Sequence, residues 1–222
     1  LPESCRPSTP AAGQRIAAHV LGALGLVPVG LRLAPAAATQ DGANRAVAGP
    51  IVETRLLHAP AALPPAMPAG RRVTLAVLAQ LGSRLPARAR PYRAAELLRR
   101  IASLHVALDL AESRFAEGPA DIPLHLADLA GLGLVVFGAP ARAGWRTALG
   151  SPRAAAAAGA SGEAWRGTVD AVGALVGAAE AARRAGGLPE GALLLAAGLS
   201  PPLPDGALKV RIGGIGTVER LA

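Results

Sequence analysis

Apolar residues first recur at helical spacing near the start of the chain. Ile16, Val20, Leu21 and Leu24 predict a helix from about Ala11 to Leu24. Pro28 ends that pattern, and Val29 to Leu33 reads as a short strand. Pro35 to Pro50, rich in Ala, Gly and polar residues, reads as a loop, and Ile51 to Leu57 as another strand. His58 to Gly70 is proline-rich and reads as a linker or lid. It divides a small N-terminal region, residues 1–70, from a main domain, residues 71–222.

Beyond the linker, Val73, Leu75 and Val77 alternate and predict a strand from Val73 to Leu81. Pro91 introduces a helix, with Ala94 to Ser103 turning Leu97, Leu98 and Ile101 inward. Leu104 to Leu110 reads as a strand, and Leu132 to Phe137 as a buried strand bounded by glycines. Thr168 to Ala185 is helical: Val169, Val172, Leu175 and Val176 share a face, and Gly186 and Gly187 end the run. Leu193 to Ala197 is a strand. Leu208 to Ile212 and Thr217 to Leu221 pair as a terminal hairpin. Strands outnumber helices and few form βαβ units, so the pattern predicts an α+β fold: mixed, largely β, with peripheral helices.

At 222 residues and 51% hydrophobic content, the chain is long and apolar enough to bury a sizeable core. The apolar residues are mostly Ala, Leu and Val. With two Trp, one Tyr and two Phe, the chain lacks platforms for stacking nucleic-acid bases. The net charge of +8 is carried by arginine, since Lys209 is the only lysine. A solvated arginine-rich surface explains that charge; an acidic partner is the functional alternative. The arginines are scattered and no recognition-helix or RNA-binding signature accompanies them, which argues against nucleic acid. Cys5 is alone, so no intramolecular disulfide or Cys-based metal site is expected. The first residues do not read as a signal peptide. Ala154 to Ala164, an Ala/Gly-rich stretch of low charge, is too short to span a bilayer. The composition therefore predicts a soluble, cytoplasmic protein with no membrane partner. The absence of an initial Met leaves the native N-terminus open.

Several segments carry a resemblance. Leu188 to Leu195 leads through Ala196-Ala197-Gly198-Leu199-Ser200-Pro201-Pro202 to Gly206, and Val210 to Val218 closes the run. Upstream stand Leu104 to Arg114, containing His105, Asp109 and Ser113, and Ala127 to Gly131. Their order resembles the fumarylacetoacetate hydrolase superfamily, in particular its 2-keto-4-pentenoate hydratase and 4-oxalocrotonate decarboxylase branch, from about Val29 to Ala222. The resemblance implies a mixed β-roll with flanking helices, often in homo-oligomers. It also implies a Mg²⁺ or Mn²⁺ ion held by a Glu-x-Glu pair and a third carboxylate. That ion would bind a 2-oxo or 2-hydroxydienoic acid, with Lys, Ser and Asp residues moving protons.

This chain departs from that pattern at the ligands. A hard divalent ion needs several oxygen donors, chiefly carboxylates. The Glu-x-Glu positions fall on Thr74 and Ala76, and only Asp109 remains at the third. A lysine of the family falls on Arg32, within Gly30-Leu31-Arg32. Arginine clamps carboxylates but is no base near neutral pH. Another falls in Glu117-Gly118-Pro119, which holds no lysine, and the hydroxyl-bearing substrate loop reads Ala196-Ala197-Gly198. No metal and no cofactor are therefore expected. The candidate ligand-binding residues are Arg32, Thr74, Ala76, Asp109, Arg114 and Gly198.

New chemistry on the same scaffold would centre on His105 and Asp109. They are four apart on a predicted strand, hence on one face, and a His–carboxylate couple can act as a general base. The competing reading pairs Asp109 with Arg114 or a backbone donor. His19, His58 and His125 read as surface or capping residues. Trp145 and Trp165 read as core packing or a sheet-edge plug ahead of interface anchors. Gly213-Gly214-Ile215-Gly216 has no helix after it and reads as a turn, not a dinucleotide loop.

The main functional expectation is a non-catalytic, hydratase-like pseudoenzyme that binds a peptide, a protein or a small acid. One setting is an accessory role in natural-product biosynthesis, presenting an acidic precursor peptide, with an exposed strand edge as a place to accept it. The alternative is a metal-independent or weakly metal-dependent hydratase, decarboxylase or tautomerase acting on a 2-oxo or 2-hydroxydienoic acid. A third is an inactive subunit supporting an active paralogue; the sequence does not separate it from the first.

Overall fold

The computed structural model describes residues 3–36, 46–64, 70–159 and 162–221. Its centre is a seven-stranded sheet in the order β2-β1-β11-β4-β6-β7-β3. These strands are β1 (Pro28–Pro35), β2 (Ala46–Val52), β3 (Leu56–His58), β4 (Arg71–Leu81), β6 (Ile101–Glu112), β7 (Leu134–Pro140) and β11 (Leu193–Ala196). β1 runs parallel to β11 and β3 parallel to β7; the other pairs are antiparallel. The connection between β2 and β3 shows how the sheet is shaped. They are its two edges, yet only the 3-10 turn Glu53–Arg55 separates them. Four Cα steps span at most about 15 Å. A flat sheet of this width cannot satisfy that limit, so the sheet curls until its edges nearly meet.

The outer face of this roll carries the main core. Leu75, Val77, Val106, Leu108, Val136 and Leu194 pack there against the second sheet and a helix. The second sheet has the order β13-β12-β8-β9: β8 (Arg153–Ala158), β9 (Glu163–Thr168), β12 (Leu208–Ile212) and β13 (Gly216–Arg220). The helix is α4 (Ala171–Arg184), whose N-terminus is capped by Asp170, accepting from the Gly173 amide at 2.7 Å. Its buried face is Ala171, Leu175, Ala178, Ala179 and Ala182, so small side chains let it lie close to the sheet; Val172 and Val176 are only partly buried. A short ladder joins β5 (Leu85–Pro86) to β10 (Gly187–Leu188).

The expected mixed, largely β roll with peripheral helices is what the chain forms. Several boundaries move. Of the expected loop, Pro35 ends β1 and Ala46 to Pro50 belong to edge strand β2, where a proline costs no interior ladder bond; residues 37–45 lie outside the described residues. The strand expected from Ile51 to Leu57 is broken by the 3-10 turn into β2 and β3. Helix α2 (Ala94–Arg100) stops before Ile101, which opens β6 directly. Within the linker, Ala61 bridges to Arg220, and residues 65–69 are outside the described set. Residues 1–70 contribute three strands to the same sheet as residues 71–222.

Three elements escape the hydrophobic pattern. β8 is a run of alanines, poor in strand propensity, held because Ala154 and Ala156 are buried between β12 and β9. β9 pairs beside it, with Trp165 packed against the core. Helix α3 (Ile122–Ala127) is short, but it carries a legible start: Asp121 accepts from the Leu124 amide at 2.8 Å, with Pro123 in the first turn. Helix α1 (Pro10–Ala23) forms as expected but docks through a different face. Gly13 is its buried residue and sits against the Pro123 carbonyl of α3, while Ala17, Val20 and Leu21 pack and Ile16 and Leu24 stay exposed.

Candidate functional site

The inner face of the roll is where the sequence places a site. In a strand, alternate residues share a face. In the β4–β6 ladder Thr74 is opposite Asp109, Ala76 opposite Ala107 and Leu78 opposite His105, so these six side chains point inward together. Arg32 on β1 is in register with Leu195 of β11, another inward residue. Most of this interior is solid. Ile51, Ala76, Leu78, Ala107, Val135, Phe137 and Leu195 form a buried apolar cluster drawn from five strands.

Arg32 crosses the remaining space. Its Nε donates to Asp109 Oδ1 at 2.6 Å and its Nη2 to Asp109 Oδ2 at 2.7 Å, while Nη1 donates to the Ala130 carbonyl at 2.7 Å. The side chains are 2% and 4% exposed. β1 and β6 are three strands apart in the sheet order, about 14 Å along a flat sheet, so only the curl brings the two together. Thr74 uses its hydroxyl elsewhere, accepting from the Gly198 amide at 3.3 Å. Gly198 has φ +77°, and a Cβ there would collide with the Pro35 ring.

Arg32, Thr74, Asp109 and Gly198 are thus gathered, with Ala76 one step deeper. Arg114 stands apart: it bonds Asp128 through the carbonyl oxygen at 3.0 Å and Oδ1 at 3.4 Å, and also the Leu132 carbonyl. The couple of His105 with Asp109 does not form, because Asp109 is occupied by Arg32. His105 Nδ1 faces the Gly138 carbonyl at 2.9 Å and Nε2 faces Ser103 Oγ at 3.0 Å. A carbonyl only accepts, so Nδ1 carries the proton and Ser103 donates to Nε2. Burial lowers the His105 pKa, the nearby His58 adds to that, and the Gly138 bond opposes it.

Past the Arg32–Asp109 pair, at the end of β4 and β6, a cavity of about 560 Å³ opens. Arg72 and Ala111, the next inward pair of the ladder, line it with His125, Asp128 and Glu117. Arg72 is half-buried. Its Nη2 donates to the Pro35 carbonyl at 2.6 Å and its Nη1 to that of Ala36 at 3.3 Å. Burial lowers its pKa and the Arg32 charge adds to that, while Asp109 opposes it. Beside it, Arg71 is paired with Glu112 at 2.6 Å. His125, expected at the surface or at a cap, is instead buried at 5% exposure; burial lowers its pKa first, and Arg32 and Arg72 reinforce this against the Ala130 backbone bond and Asp128. Sequence reasoning missed Arg72 and His125. Arg72 was within reach, since it lies two residues before Thr74 and therefore on the same face. His125 was not, because only the docking of α3 buries it.

The curled mixed roll flanked by helices is the fold of the fumarylacetoacetate hydrolase superfamily. A protein placed in that family, from Yersinia pestis CO92, superposes with a TM-score of 0.60 at 16% identity, over 88% of this chain and 92% of that one. The fold is also similar to that of 4-oxalocrotonate decarboxylase from Pseudomonas putida G7, complexed with calcium and acetate: TM-score 0.76 at 16% identity, covering 96% of this chain and 85% of that one. The same enzyme complexed with magnesium and adipate gives 0.75. The 5-carboxymethyl-2-hydroxymuconate delta-isomerase from Mycobacterium smegmatis gives 0.59 at 14% identity, covering 87% and 79%. No family model and no curated protein matches the chain in sequence.

The divalent ion implied by the resemblance does not fit these residues. Thr74 and Ala76 bring no carboxylate, and both oxygens of Asp109 are taken by Arg32. Among the described residues no group of three His, Cys, Asp or Glu side chains is placed to hold a metal. No helix among them is long and apolar enough to cross a membrane.

Proposed function

We propose that the chain binds a small carboxylic acid, of the dicarboxylate or 2-oxo acid class, in the cavity beside Arg72 and without a divalent ion. The observation that carries this reading is Arg72 itself. Its guanidinium borders the cavity and meets backbone carbonyls, and no carboxylate pairs with it among the described residues. A guanidinium keeps its charge even when burial lowers its pKa, so an anion entering the cavity gains a charge-assisted bond. The volume of about 560 Å³ falls within the span of small-molecule sites, roughly 300–1,000 Å³. Acetate and adipate, both carboxylates, accompany calcium and magnesium in the Pseudomonas decarboxylase structures.

Calorimetric titration with adipate and 2-oxoadipate, with and without EDTA, tests the proposal. Binding unaffected by EDTA is expected, weakened at least about tenfold, or ~1.4 kcal/mol, in Arg72→Met. Binding that appears only with added Mg²⁺, or is indifferent to Arg72, would sink it.

A second reading makes the cavity a metal-independent active site acting on a 2-oxo or 2-hydroxydienoic acid. His125 favours it. Burial first, then the Arg32 and Arg72 charges, lowers its pKa, and its imidazole borders the cavity where a group of this kind can take or give a proton. The fold neighbours, a decarboxylase and an isomerase, favour it too. Turnover of a 2-hydroxydienoate that vanishes in His125→Gln supports catalysis; binding without turnover supports a binding role. An acidic precursor peptide or protein partner would be favoured by the +8 charge, and an active paralogue by the carboxylates missing at Thr74 and Ala76; pull-down from the native host addresses these.

A further inference from the structure

The mismatch between the roll's interior and a divalent ion has a positive side. Three oxygens converge on one charge: Asp109 Oδ1, Asp109 Oδ2 and the Ala130 carbonyl, at 2.6, 2.7 and 2.7 Å from three nitrogens of Arg32. Oxygen donors of this kind, carboxylate and backbone carbonyl, are those that hard cations collect. Here the cation is a planar guanidinium, and its fork matches the carboxylate edge. It enters from β1 while Asp109 sits on β6, so it spans the interior and closes it from side to side.

We propose that Arg32 is a tethered cation that takes the electrostatic place of a divalent ion inside the roll, making the protein indifferent to metals and to chelators. An isolated Asp109 carboxylate at 4% side-chain exposure needs a compensating positive charge. A bound ion would supply that charge only as its concentration and affinity allow, whereas a side chain supplies it at all times. The tether also excludes the ion. Arg32 and Arg72 already outweigh Asp109 at this point, and a further doubly charged ion would be repelled by both. The inference rests on the Arg32–Asp109 geometry and not on what the neighbouring cavity binds, so it stands or falls separately from the proposed ligand.

The test has two arms. In the first, the unaltered protein is titrated with Mg²⁺, Mn²⁺ and Ca²⁺ by calorimetry, and its thermal midpoint is read with each ion and with EDTA. No saturable heat and no shift are expected; saturable binding that stabilises the fold overturns the proposal. In the second, Arg32→Ala is melted in millimolar guanidinium chloride, Mn²⁺ or urea. The variant should melt lower than the parent. Guanidinium or Mn²⁺ should restore part of the loss, and urea, similar in shape but uncharged, none. A variant as stable as the parent overturns the proposal, as does rescue by neither cation or equal rescue by urea. Should Arg32→Ala fail to fold, Arg32→Lys takes its place. Keeping the charge but not the fork, it should fold with a lowered midpoint; an Arg32→Lys protein that also fails to fold, or that is as stable as the parent, overturns the proposal.

Discussion

Thr74 stands directly opposite Asp109 in the β4–β6 ladder, yet the two side chains serve different partners: the threonine hydroxyl accepts from the Gly198 amide and the carboxylate receives Arg32. Two neighbours on one inner face thereby tie β4 to the loop after β11, and β6 to β1. Two positions at which the resemblance implies a shared ion act here as separate cross-links of the roll.

These cross-links differ in worth. The Thr74 bond is a neutral one at 3.3 Å, so Thr74→Val should cost only about 0.5–1.5 kcal/mol. Urea unfolding read by circular dichroism measures it. A loss several times larger would mean that Thr74 carries more than this bond.

Asp109→Ala should be far worse, because it leaves the Arg32 guanidinium buried without a counter-charge; about 3–5 kcal/mol is the expected loss. Replacing both partners by apolar residues, in Arg32→Met with Asp109→Leu, should recover most of it, since neither charge then needs compensation. A double-mutant cycle from denaturant unfolding decides this. If the double variant is as unstable as the sum of the singles, the pair is not coupled as the geometry requires.

Acid should loosen the fold through its histidines. His105 and His125 both have folded-state pKa values below the ordinary 6.5, with burial the first cause. The unfolded chain therefore binds more protons near pH 6. Their contribution to stability is complete above about 6.5 and is lost as pH falls below it through the lowered folded values. Unfolding free energy measured from pH 8 to pH 5 should decline on that side, and His125→Gln should flatten part of the slope. A profile level down to pH 5 would contradict the assignment.

Gly13→Ala should destabilise the protein although alanine favours helices by about 1 kcal/mol. The added methyl would meet the Pro123 carbonyl, which belongs to the first turn of α3 and cannot swing aside like a side-chain tip. Overpacking of this kind costs roughly 1–3 kcal/mol, so the melting temperature should fall and α1 should become the first site of limited proteolysis. Unchanged proteolysis with a raised melting temperature would show that α1 does not dock through Gly13.

Much of this was legible in the chain. Period-two alternation marked β4, the apolar runs marked β6, β7 and β11, and Gly213 to Gly216 marked the terminal turn, because local geometry and one-dimensional pattern suffice for such elements. Alanine strand β8 was illegible: alanine favours no single element, and only burial between two neighbouring strands makes it a strand. The absence of any Glu-x-Glu was also visible, since an absent carboxylate is absent in any fold.

What the residues alone determined, then, is chemical identity: a roll-forming pattern, a strongly basic composition, and Asp109 as a lone carboxylate where the resemblance implies three. Which groups meet was decided by the tertiary structure. Spacing offers Asp109 the partners His105, four residues away, and Arg114, five away, yet its partner is Arg32, 77 residues away with two strands between. Strand spacing records which side a residue faces but not how far a sheet curls. Only when the β2 and β3 edges approach does the space across the roll become short enough for an arginine to cross, leaving Arg72 and His125 at the mouth of the cavity beyond.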